Sequence, residues 1–134
     1  MTRLCQGFAR LAFRMDALTI QEAAETTGWS PRMLRYIERV GLLDAPRSDG
    51  GYRLYGAPEL QRLRTLREVL QEFDLGLGDM AFAQRLRDDS ELRSAVDAWF
   101  EAEPERPEDV PASDWLRFEQ EKHERLLAAA AQLT

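Results

Sequence analysis

A tight glycine joint between two short helices limits this chain more than any other feature of its sequence. The segment "TIQEAAETTGWSPRMLRYIERVGLL" covers residues 19–43. Thr19 followed by Glu22 is a capping box, so a helix starts there. Ile20, Ala23, Ala24 and Thr27 share one face and are small enough to let another helix come close. Gly28 ends that helix, and Ser30, two residues on, caps the next. Pro31 suits a first helical position, where a missing N–H costs nothing, and Gly41 supplies a stop. At 100° per residue from Ser30, Arg32, Arg35, Tyr36 and Arg39 fall between about 140° and about 240°. Met33, Leu34, Ile37 and Val40 fall on the other side, between about 280° and about 40°. One face of the second helix is built for burial and the other is cationic. Two helices joined in this way predict a helix-turn-helix.

The pattern changes after Leu43. Asp49-Gly50-Gly51 is a strong turn signal. Beyond it, Tyr52 and Leu54 alternate with Arg53 and Tyr55 at the period of a strand. The spacing predicts a small β-hairpin, a wing, with Arg47 and Arg53 in its two arms. Pro58 opens a helix near 58–73 whose apolar stripe is Leu60, Leu63, Leu66 and Leu70. Further helices are expected near 77–88 and 90–103. A proline- and acid-rich stretch follows at 103–111, and a helix opened by a Ser or Asp cap runs over 113–133. The fold class is mostly α, with the hairpin as its β element.

At 134 residues the chain fits one small domain, or a small domain with an appendage. No apolar run approaches the roughly 18 residues that span a bilayer, and no secretory pattern opens it. Cys5 is the single cysteine, which suits a reducing, cytoplasmic setting. With one cysteine and one histidine, His123, neither a structural zinc site nor a nucleophile–histidine–acid set is assembled. Glycine-rich phosphate loops are lacking as well. The expectation is no enzyme, no metal and no cofactor.

The net charge of −6 conceals a division. Residues 1–14 carry Arg3, Arg10 and Arg14 without an acid; residues 30–67 carry eight arginines against Glu38, Asp44, Asp49 and Glu59. Residues 71–134 carry seven basic and sixteen acidic residues. A duplex meets the local field, so an acidic chain can still present a basic patch to phosphates.

These features together, "LTIQEAAETTGWSPRMLRYIERVGLL" followed by "GGYRLYGAPELQRL", resemble the DNA-binding domain of MerR-type transcriptional regulators over about residues 18–88. The resemblance implies a winged helix-turn-helix whose second helix enters the major groove and whose wing contacts flanking backbone and minor groove. It implies a C-terminal helix pairing antiparallel with a second copy. It also implies bending and untwisting of promoters with an overlong spacer, through which RNA polymerase is engaged indirectly. Carried over, the helix contacts to double-stranded promoter DNA are Arg32, Arg35 and Tyr36, with Arg39 beside them. Arg32 and Met33 are the candidates for base edges. The wing contacts are Arg47, Gly51, Tyr52 and Arg53, with Tyr55 divided between core and backbone. Thr19 and Ser30 join the set at the helix starts.

Three departures bear on function. Trp29 stands in the turn, where that family has a small aliphatic residue. The cysteines of the family's metal sensors are missing near the end of the terminal helix. After 134 residues no room remains for an appended effector domain, which puts a small-molecule effector in doubt.

The organisation expected is therefore a 1–16 extension, a 17–88 DNA-binding domain, an 89–112 connector and a 113–134 dimerisation helix. That helix carries Trp115, Leu116, Leu126, Leu127, Ala130 and Leu133, a set too short to be stable alone in water. Burying it against an identical helix makes a homodimer, with His123 on the same stripe. Trp99, Phe100, Trp115 and Phe118 either pack the C-terminal helices or hold a small apolar ligand. Two other readings stay open at this point: an architectural DNA binder of the excisionase kind, and a chaperone modulator that binds a J-domain protein. The favoured reading is a bacterial, nucleoid-associated regulator.

Overall fold

The computed structural model describes residues 17–75 and 81–132. The expected arm at 1–16, the 76–80 turn and Leu133 lie outside them. Strand β1, Ala17–Leu18, pairs antiparallel with β2, Tyr55–Gly56, in the register Ala17↔Gly56 and Leu18↔Tyr55. This short pairing, which the sequence pattern did not signal, fastens the chain ahead of the first helix to the base of the wing.

Helix α1, Ile20–Thr27, begins with the capping box: Glu22 N–H donates to Thr19 Oγ1 and Thr19 N–H to Glu22 Oε1. It ends at Gly28, whose φ of +86° is open to glycine at no steric cost. Helix α2, Pro31–Arg39, starts under the Ser30 hydroxyl, which accepts from Met33 N–H. Its end is a Schellman motif: Leu42 N–H reaches Ile37 O and Gly41 N–H reaches Glu38 O, with Gly41 at φ +86°.

Trp29, in the joint between them, is 1% exposed and belongs to the core. Met33, Leu34 and Ile37 are buried beside it, together with the stripe Leu60, Leu63, Leu66 and Leu70 of helix α3, Ala57–Glu72. Val40 departs from the expected apolar side and is exposed, because the chain unwinds into the Gly41 turn at that point.

Helices α4, Ala81–Asp88, and α5, Ser90–Glu101, extend the core with Phe82, Leu92, Val96 and Trp99. Asp89 caps α5 by accepting from Glu91 and Leu92 N–H. A 3-10 turn, Ala112–Asp114, leads into α6, Trp115–Gln132.

Helix α6 lies against α3 and α1 of its own chain. The seam is polar and closed. Glu119 is fully buried and accepts from Arg64 Nε at 2.9 Å and Nη2 at 3.2 Å, Trp115 Nε1 at 3.2 Å and Gln61 Nε2 at 3.3 Å. One turn on, His123 is buried with Nε2 2.8 Å from Leu60 O. That carbonyl can only accept, so Nε2 carries the proton. Arg67, also buried, donates to Thr27 O at the end of α1. His123 and Glu119 are thus used within the protomer, whereas the sequence reading set His123 against a second copy.

Glu119→Ala removes one partner of a buried ion pair and is expected to cost about 3 kcal/mol or more in urea denaturation. Glu119→Gln should cost less, because the amide oxygen still accepts. Burial holds the His123 imidazole below the ordinary histidine range; the Leu60 hydrogen bond and Glu119 oppose this, while Arg64 and Arg67 reinforce it. An unfolded chain takes up a proton there as pH falls through about 6.5, whereas the folded chain does so only at lower pH. Stability should therefore drop below about pH 6.5, and His123→Gln should flatten that part of the pH profile of the urea midpoint.

Candidate nucleic-acid interface

Burying one side of α2 leaves the other in solvent. Arg32, Arg35 and Arg39 are all exposed. Neither Arg32 nor Arg35 makes an ion pair or hydrogen bond among the described residues. Tyr36 is half-buried: its ring meets Phe82 of α4 edge-on, with centroids 6.2 Å apart, and the Arg39 guanidinium lies 5.5 Å from its centroid. Phe82 therefore sets the orientation of Tyr36, and Tyr36 supports Arg39 through a cation–π contact.

The wing follows α2 directly. Its arms are joined by the Arg47↔Arg53 bridge and by Leu54 N–H to Pro46 O and Ser48 N–H to Tyr52 O, both 2.8 Å. Gly51 turns the chain at φ +84°; a Cβ there would meet nothing within 4 Å, so backbone conformation and not space requires glycine. Tyr52 is 74% exposed at the tip.

One acid organises this surface. Glu38, in the last turn of α2, takes Arg47 Nη2 at 3.2 Å and Arg53 Nε on the same carboxylate oxygen, Oε1. Arg47 Nη1 also donates to Gly51 O. The Glu38 side chain is 10% exposed, against 48% for Arg47 and 26% for Arg53. Sequence reasoning missed this role: Glu38 falls at about 80° on the helical wheel, between the two faces. Its only signal was being the single acid in an arginine-rich helix.

The structure brings Arg32, Arg35, Arg39, Arg47, Tyr52 and Arg53 to the surface and withdraws others. Met33 and Tyr55 are fully buried, so neither side chain offers surface to a duplex. Burial, with Glu38 next in effect, pushes the Tyr55 hydroxyl up to about 12, so the phenol stays neutral. Thr19 and Ser30 spend their hydroxyls on helix caps. The four C-terminal aromatics are divided. Trp99 donates to Arg62 O and Thr65 Oγ1, Arg62 lies over both Trp99 and Phe100, Trp115 holds Glu119, and Lys122 lies over Phe118. Among the described residues, no group of three or more His, Cys, Asp or Glu side chains could hold a metal ion, and no helix is long and apolar enough to cross a membrane.

Two helices at a glycine joint, the second cationic and backed by a core, with a hairpin beside it, make a winged helix-turn-helix DNA-binding domain. Comparison with known proteins points to a particular family. Residues 18–81 match the family described as MerR HTH family regulatory protein. Over those residues, just under half of the chain, its sequence is similar to the MerR helix-turn-helix transcription regulators.

Among its relatives, it is 38% identical over 60 residues to the HTH-type transcriptional regulator YfmP of Bacillus subtilis (strain 168), covering 42% of this chain and 43% of that protein. It is 36% identical over 85 residues to Heavy metal-dependent transcription regulator 2 of Rhizobium meliloti (strain 1021), covering 60% and 56%. It is 35% identical over 85 residues to the HTH-type transcriptional regulator HmrR of Sinorhizobium medicae (strain WSM419), again covering 60% and 56%. The chain spans about half the length of these relatives. No solved structure matches it.

Proposed function

We propose that this chain is a cytoplasmic transcription regulator that binds a two-fold symmetric promoter site as a homodimer and distorts it. The observation that carries the reading is the set of exposed arginines on one side of α2, Arg32, Arg35 and Arg39, with exposed Arg47 and Tyr52 and half-buried Arg53 on the wing that follows. Glu38 is the one acid paired into it.

Helix α2 enters the major groove, where Arg32 is placed at its first turn to meet a base edge. Arg35, Arg39 and the wing arginines meet phosphates, which set register and orientation. Tyr52 rides at the wing tip, against backbone or minor groove.

Two copies would present two α2 helices about one helical turn of DNA apart, roughly 34 Å. The surface left for that pairing is the end of α6, where Leu126 and Leu127 stay half-buried and Ala128–Ala131 are exposed. Bending the site then lets RNA polymerase engage it.

If a dimer neutralises about six to ten phosphates, affinity should fall by about 10³ to 10⁵ between 50 and 200 mM salt. Gel-shift titrations over that range test this, and a salt-independent affinity would refute the reading. Arg32→Ala with Arg35→Ala removes two exposed cations outside the core. The double variant should keep the wild-type melting temperature and sedimentation behaviour while its affinity drops at least tenfold and its salt slope becomes shallower by about two.

A further inference from the structure

We infer that Glu38 is a specificity-determining positioning residue: it fastens the wing to α2, orients Arg53, and restrains phosphate binding away from the preferred site. The inference rests on the DNA-binding reading above and adds a role for an acid in a surface otherwise built of arginine.

A single carboxylate oxygen bridges the two arms of the wing, Arg47 before the turn and Arg53 after it. The base of the wing is held to the lobe by the short β1–β2 pairing and by the buried side chains of Ala45, Leu54 and Tyr55. Its own hydrogen bonds, such as Leu54 N–H to Pro46 O, join arm to arm and do not fix where the hairpin points. Glu38 supplies that link to α2. At 10% exposure its bonds are partly shielded from water and are stronger than those of an open surface pair.

The geometry also sorts the donors. A guanidinium has five N–H groups in a rigid fork. Glu38 holds Arg53 by Nε, which leaves the Nη groups at the other end of the fork for a phosphate. Arg47 has Nη2 on Glu38 and Nη1 on Gly51 O, and so is more fully committed. Arg53 thus keeps its Nη donors uncommitted, whereas Arg47, though the more exposed of the two, spends both Nη groups on the clamp and the turn.

A carboxylate beside both cations also lowers the field that any phosphate meets. Loose contacts on arbitrary sequence pay this penalty in full. A site that seats α2 and wing together offsets it, because the pre-set angle between them spares the ordering cost.

The test uses the full chain and two duplexes of equal length, one of mixed sequence and one carrying a site selected in vitro by the wild-type protein. Glu38→Gln removes the charge and keeps the shape. It should bind the mixed-sequence duplex at least threefold tighter, with a salt slope steeper by about one, while preference for the selected site falls about tenfold. A merely structural role would weaken both duplexes together; a parallel loss, or an unchanged preference, overturns the inference.

Amide exchange on the free protein tests the clamp without DNA. The Leu54 and Ser48 amides should exchange about tenfold faster in Glu38→Gln, with the α3 amides unchanged; equal rates overturn the inference even where DNA binding itself holds. Wild-type protein that shifts neither duplex at low salt overturns the DNA-binding reading and this inference with it, whatever the exchange rates. Should Glu38→Gln fail to fold, Glu38→Asp keeps the charge but withdraws it by one methylene. Mixed-sequence affinity should then stay at the wild-type level while site preference falls, and an intact preference overturns the inference.

Discussion

Burial of the inner face of α2 is the contact on which the rest of the molecule depends. Nine residues are too few for a helix to persist alone in water. The helix exists because Met33, Leu34 and Ile37 are removed from water among the leucines of α3 and the Trp29 ring. Once that face is committed, the helical period leaves the arginines no place except solvent. The basic surface is thus a by-product of the core, held as firmly as the core itself.

Helix α6 completes the lobe by different chemistry. An apolar seam would bind it as tightly, yet the seam against α3 holds a buried carboxylate, a buried imidazole and two arginines. Polar groups in such a place are costly unless each finds its partner in one geometry. Glu119 meets that demand with donors from Arg64, Gln61 and Trp115, which fixes the position of α6 along α3 more sharply than leucines would. Arg67 reaches from α3 to the carbonyl end of α1, so the surface behind the reading head is braced from the same helix.

Charge is partitioned along the same lines. The arginines of residues 30–67 divide between solvent, the wing clamp and the contacts of α3 with α1, α5 and α6, and the excess acid of the C-terminal half is borne largely by α5, α6 and the loop between them.

Residue order alone determined the helices, their caps, the glycine joint, the hairpin turn and the leucine stripe of α3, because each is a local matter of period and backbone preference. It also determined which side of α2 is cationic, and with the family pattern that was enough to point to DNA. Tertiary structure decided everything that joins residues far apart in the chain. The pairing of β1 with β2, the bridge from Glu38 to Arg47 and Arg53, and the Glu119 and His123 seam all link positions with no shared period. Met33, which the wheel set on the buried side and the family pattern offered as a base contact, is enclosed by packing, and so is Tyr55, to which an alternation gives direction but not depth. The placement of α6 is of the same kind: its spacing marks one side for burial, and only the partners on α3 show that Glu119 and His123 face its own lobe.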